Sequence, residues 1–198
     1  DRPALVLGGS AEGASGSDVP IILRDTIGLH VKQVIGYPDS KAIFHAMERA
    51  EIHGRTVDLS TMKSVKPDWL KPDSPYRVLV QFARATRHPD LPEVPTAREL
   101  AKNEAALALI ELAELPYGLS RPFAAPPDVP EERAIALQRA FLGVHGDPQY
   151  LEDAARLKID VSPVGGDGVL QAIERIARAP PELLDYMRRL LAETRDGG

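Results

Sequence analysis

The chain has 198 residues, no cysteine and a formal net charge of −5 at pH 7. A hydrophobic share of 43% with 27% charged residues is that of a chain with a core, which excludes a disordered chain, a collagen-like fibre and a disulfide scaffold. Apolar runs as short as Leu5–Leu7 and Ile21–Leu23 cross no membrane as helices, and a pI near 5.6 lacks the basic field of a general nucleic-acid binder, so no nucleic-acid partner is expected.

Ala4–Leu7, closed by Gly8-Gly9, reads as a buried strand. After the Gly8–Ser17 loop a helix is predicted over 18–28, with Ser17 or Ser15 as cap, Pro20 in its first turn and Gly28 as its stop. His30–Ile35 alternates and reads as strand two. The turn Gly36-Tyr37-Pro38-Asp39-Ser40 then opens a helix over 40–50, capped by Ser40 or Asp39, with Ile43, Phe44 and Met47 on one face. Arg55–Leu59 reads as strand three and Ser60–Ser64 as a helical turn ended by Pro67. Tyr76–Ala83, almost continuously apolar, reads as a central fourth strand. Pro89, Pro92 and Pro95 make 84–95 a loop, and a helix follows over 97–115. Leu119–Ala124 and 158–162 read as short strands, and helices are predicted over 130–145, 148–157, 166–178 and 181–193. The β-α-β-α-β-β start predicts an α/β fold with a mostly parallel sheet. A boundary near 116–126 divides an α/β domain, 1–118, from a mostly helical part, 119–198.

The first loop carries the most chemistry. Its glycines let a backbone approach a ligand, and the helix start behind it offers N–H groups and a partial positive charge. Ser10, Ser15 and Ser17 add hydroxyls, so the loop suits a carboxylate or a phosphate; a plain capped Gly/Ser turn accounts for the same residues. Gly8 and Gly13 copy P-loop spacing, but Ala14 stands where that loop needs lysine, which argues against an NTPase. The Tyr37–Ser40 turn also joins a strand to a helix, and two such units in one sheet aim both helix starts at one crevice.

The five histidines are scattered, with no H-E-x-x-H and no ligand pair at metal spacing. Serine catalysis lacks its G-x-S-x-G elbow. Glu111/Glu114 and Glu131/Glu132 read as solvated helix surface, and Trp69 as a packing anchor under a Pro-rich loop. No nucleophile, base and orienter assemble, so neither an enzyme nor a bound cofactor or metal is expected.

Several stretches, in order, resemble the substrate-binding proteins of tripartite tricarboxylate transporters, the Bug receptors. They are Val6–Ser15, Val34-Ile35-Gly36-Tyr37-Pro38-Asp39-Ser40 and Ala46-Met47-Glu48-Arg49-Ala50-Glu51-Ile52-His53-Gly54. His88-Pro89-Asp90-Leu91-Pro92-Glu93-Val94-Pro95-Thr96 is the most specific. Arg121–Pro130, Asp147-Pro148 and Val164-Gly165-Gly166 follow. The resemblance runs from about Leu5 to about Leu191 and implies a type II periplasmic-binding-protein-like lobe followed by the helical part of a second, incomplete lobe.

By that resemblance the protein is an extracytoplasmic, periplasmic solute receptor of the Venus-flytrap kind. It binds a small carboxylate and delivers it to a membrane permease. Ser10, Gly13, Ser15, Tyr37 and Ser40 are the expected ligand contacts. Gly13 gives access to the backbone, the serines donate to oxygen, and Tyr37 supplies its ring or hydroxyl. Asp39 stands where the family has glycine, and a carboxylate there repels an anion. Ala50 and His53 replace the family's glycine and aspartate. No leader is legible, since Asp1-Arg2-Pro3 runs straight into the first strand. The family pattern implies an upstream segment that completes the second lobe; without it Ile135, Leu137, Phe141, Leu151, Ile173 and Ile176 are expected to be exposed, and a homo-oligomer is an alternative cover. The competing expectation is a receptor-like assembly module that binds no solute.

Overall fold

Gly8 and Gly9, where strand one was expected to have closed, belong to the strand. In the computed structural model, which describes residues 3–119 and 122–192, β1 spans Leu5–Gly9. It pairs in parallel with β2, Val31–Ile35, in register from Leu5 with Val31 to Gly9 with Ile35. Between them α1, Ser15–Ile27, ends where Gly28 adopts a left-handed φ of 74° and donates to the Leu23 carbonyl, the expected stop. α2, Ser40–Glu48, follows β2. The fold is α/β, with this two-stranded parallel sheet and eight α-helices among the described residues, which are about half helical.

The third and fourth strands do not form. Alongside β1 the chain makes one parallel bridge, Leu7 with Gly54. His53 donates its N–H to the Val6 carbonyl (2.8 Å), but its Nδ1 takes the Val6 N–H (2.9 Å), so a side chain occupies the acceptor place that a strand fills with backbone. Arg55 then turns its Nε to the Thr56 carbonyl, and the chain enters α3, Leu59–Val65, and a 3-10 turn over Pro67–Leu70. In Tyr76–Ala83, Arg77 bonds the Ser74 and Tyr76 carbonyls while Val78 and Leu79 face solvent; Gln81 alone bridges, to Thr96. The side-chain amide of Gln81 donates to Leu91 and Val94 and accepts from the His88 N–H, which closes the 84–95 loop.

α4, Glu104–Gly118, starts later than the predicted 97–115 because Asn103 accepts the Ala106 N–H at 2.8 Å. Glu114 is not solvated surface: it is 5% exposed, pairs with Arg98 at 2.6 Å and accepts the Ala83 N–H. Trp69 stacks on Tyr76 with ring centroids 3.6 Å apart. α5 (Glu131–His145), α6 (Pro148–Arg156), α7 (Gly166–Ala177) and α8 (Pro181–Ala192) match the expected helices closely. The predicted strand over 158–162 is absent. Of Leu119–Ala124, positions 120 and 121 lie outside the described residues and the rest is not strand; position 193 of the last predicted helix also lies outside them.

The described chain divides into two compact units, drawn differently from the expected cut after 118. The first takes residues up to Val57, Val78–Glu114 and the chain from Ala179 on; the second takes Asp58–Arg77 and Leu115–Arg178. Buried residues of the first unit cluster as follows. Ile21 and Ile22 of α1 pack with Leu109 and Ala113 of α4 and Leu190 of α8. Ile43, Ala46 and Ile52 pack with Val6 and Tyr37. α8 therefore belongs with the sheet, tied also by the Tyr186 hydroxyl donating to Asp25. In the second unit α5 and α7 bury no residue fully. Ile135, Leu137, Leu151 and Ile173 are exposed as expected, whereas Phe141 and Ile176 are half-buried.

Candidate functional site

Parallel pairing sends three segments off one edge of the sheet. The register of Gly9 with Ile35 and the parallel bridge of Leu7 with Gly54 carry Ser10–Ala14, Gly36–Asp39 and Arg55-Thr56 past the carboxyl ends of adjacent strands. In open α/β sheets that edge is where ligands bind. The first two segments meet at Gly9, whose carbonyl accepts the N–H groups of Gly36 (3.2 Å) and Tyr37 (3.3 Å). Gly8 has no room for a side chain, because a Cβ there lies 2.6 Å from the Ile52 side chain and 2.9 Å from that of Ile43.

The first loop is held from inside. Ser17 is fully buried, and its Oγ donates to the Ala11 carbonyl at 2.7 Å. A Cβ on Gly9 would stand 2.5 Å from that Oγ. Gly13 takes a left-handed φ of 73° with open space around its α-carbon. Ser10, Gly13 and Ser15 are exposed. Neither Ser15 nor Ser17 caps the helix, contrary to expectation. Ala14 stands at the N-cap of α1 and makes no side-chain cap bond; the side chain of Gln33 donates to the Ser17 carbonyl at 2.6 Å. Of the first-turn donors, the Ser17 N–H goes to the Ala14 carbonyl at 2.8 Å, a tightened turn that satisfies it from within the chain.

The second loop differs. Asp39 caps α2, its Oδ1 accepting the Ala42 N–H at 2.8 Å. Ser40 is exposed, and Tyr37 is half-buried with its ring 3.3 Å from where a Cβ on Gly8 would lie. Arg55 reaches this loop from the third segment. Its Nη1 donates to the Ser40 carbonyl (2.9 Å) and its Nη2 to Ser40 Oγ (3.0 Å), with the guanidinium 4.6 Å from the Phe44 ring centroid. Sequence reasoning missed Arg55, because its position was assigned to a strand and nothing in the pattern links it to Ser40, fifteen residues away.

Of the five expected contacts, Ser10 and Gly13 lie in the first loop and Ser15 opens α1, while Tyr37 lies in the second and Ser40 opens α2. Beyond α2, Arg49 grips Glu51 through Nε (2.6 Å) and Nη2 (3.0 Å), and that fork holds the Glu51 carboxyl below its ordinary value. The edge thus presents hydroxyls, a guanidinium and the start of α1, groups that can hold an anion by hydrogen bonds, together with two carboxylates, Asp18 in the first turn of α1 and Asp39 at the cap of α2. Among the described residues no group of three or more His, Asp or Glu is placed to hold a metal ion, and no helix is long and apolar enough to cross a membrane. Comparison with protein-family models, curated proteins and solved structures finds no match.

Proposed function

We propose that the chain is an extracytoplasmic solute receptor, periplasmic and of the tripartite tricarboxylate type. It holds a small carboxylate at the carboxyl edge of β1 and β2 and hands it to a membrane permease. On this reading the sheet and its helices belong to a type II periplasmic-binding lobe. The observation that carries the proposal is the start of α1, without a side-chain cap and flanked by the exposed hydroxyls of Ser10 and Ser15. The order of the family-like stretches adds support.

The test is titration calorimetry of the intact chain with succinate and citrate, repeated on the Ser10→Ala/Ser15→Ala double variant. The expected loss is roughly tenfold or more, the worth of one or two hydrogen bonds to a charged group. Unchanged affinity removes the loop from the site. A chain that binds neither acid is not a carboxylate receptor. A second reading, an assembly module without a solute, is favoured by the exposed leucines and isoleucines of α5 and α7. Native mass spectrometry separates the two, since an empty oligomer at every concentration favours assembly and a co-purified acid favours the receptor.

A further inference from the structure

We infer that Arg55 determines the charge selectivity of this edge: it is the cation that makes the site prefer an anionic ligand over its neutral isostere. The inference rests on the receptor reading. It starts from a conflict in the sequence. Asp39 puts a carboxylate into the second loop, where it disfavours an anion. Two contacts in the structure bear on that conflict. Asp39 Oδ1 is engaged by the Ala42 N–H, as a helix cap. Arg55 meanwhile sets a guanidinium against Ser40, the residue next to Asp39, with donors on both the Ser40 carbonyl and Oγ.

The position of Arg55 follows from the backbone. Gly54 pairs in parallel with Leu7, so Arg55 leaves the sheet at the same edge as the loops after β1 and β2. Gly54 permits that approach, since a Cβ there would stand 3.1 Å from the Leu7 side chain. The side chain is held in part by bonds to the Thr56 carbonyl and to the Ser40 carbonyl and Oγ, and by the face of Phe44, which is 1% exposed. A guanidinium held on an aromatic face keeps its planar fork in one orientation and loses less entropy on taking up a carboxylate. Ser40 Oγ accepts from Arg55, which leaves the hydroxyl proton of Ser40 to donate to the same ligand.

The experiment measures succinate and its neutral isostere succinamide by titration calorimetry at low and high sodium chloride. It uses the intact chain, Arg55→Gln and Arg55→Lys, each with a thermal melt as a check of folding. Gln keeps a donor for Ser40 and removes the charge. Lys keeps the charge and removes the fork. The expected result is that wild type prefers succinate, and that Arg55→Gln loses roughly 10- to 100-fold in succinate affinity together with the preference and the salt dependence. Arg55→Lys should fall between. If Arg55→Gln binds succinate within twofold of wild type, with the same preference over succinamide, Arg55 only props Ser40 and the inference fails while the receptor reading stands. If Arg55→Gln does not fold, Arg55→Lys decides: roughly tenfold weakening supports the inference and wild-type affinity overturns it. Wild type binding neither succinate nor citrate overturns both.

Discussion

In the first compact unit Phe44 is 1% exposed and packed among the helices around a short parallel sheet; in the second, Leu137, Leu170 and Ile173 stay 59%, 55% and 50% exposed on helices that bury nothing fully. Among the described residues Met62 and Ala154 are the apolar side chains buried in the second unit, against sixteen, Pro20 included, in the first. The second unit is instead held by local devices. Asp147 caps α6, Lys63 pairs with Asp160 at 2.9 Å, and Phe123, Phe141, His145 and Tyr150 form a chain of ring contacts. Amphipathic helices form readily from their own sequence, but their stability comes from covering one face, and a helix whose apolar face meets water gains little of it. The first unit therefore carries the candidate site on a packed scaffold, while the second presents apolar surface.

Truncation tests this contrast most strongly. Phe44→Ala should cost about 3–5 kcal/mol in denaturant unfolding, whereas Ile173→Ala should stay near 0.5 kcal/mol. Equal costs would mean that Ile173 is buried in solution. Next in size is the ion pair of Arg98 with the buried Glu114. Arg98→Ala leaves the Glu114 carboxylate buried without its cation and should cost roughly 2–3 kcal/mol, below the loss for fully buried pairs because Arg98 is partly exposed. A variant as stable as wild type would show that water reaches Glu114.

Caps sharpen the comparison further. Asp39→Ala removes the α2 cap and should cost about 1 kcal/mol, read as a lower melting temperature. The same variant should bind succinate no worse than wild type; a large loss of binding would place Asp39 on the ligand. Backbone strain gives a similar effect of opposite sign. Ala50 in the first unit and Lys158 in the second both hold left-handed φ, 57° and 58°. Ala50→Gly and Lys158→Gly should each gain up to about 1 kcal/mol where the rest of the turn is rigid. A gain at Ala50 alone would show that the Lys158 turn relaxes by itself.

The smallest effect is the pH dependence of the loop closure. Arg87 and the Thr96 N–H hold the Glu99 carboxyl down at about 2, against 4.5 for a free glutamate. A lowered folded-state value stabilises above the unfolded one, so the contribution is complete above pH 4.5 and disappears as pH falls towards 2. The stability difference between wild type and Glu99→Gln should close over that window. A constant difference from pH 6 to pH 2 would mean that the Arg87 fork does not persist in solution.

Local signals in the sequence were enough for eight helices, for the Gly28 stop, for Asp39 as one of two candidate caps and for both strand–loop–helix units. Each is written within a few residues: a glycine able to take positive φ, an Asx cap, an apolar stripe at helical period. Tyr76–Ala83 shows the limit. An apolar run states that a segment favours burial and extension, but not which edge it finds, and there Arg77 and Gln81 took the backbone and loop partners that a neighbouring strand would have used. Glu114 shows it again, since helical spacing puts it on a polar face and only the return of the chain at Ala83 and Arg98 buries it.

The chain's own sequence determined its class, its helices and the loop rich in glycine and serine, because those depend on neighbours a few bonds apart. The tertiary structure alone decided that the sheet stops at two strands, that α8 rejoins α1, and that Arg55 stands on Ser40. Those outcomes depend on which distant groups satisfy one backbone N–H or cover one apolar face. At Val6 the N–H found a histidine ring rather than the backbone of a third strand.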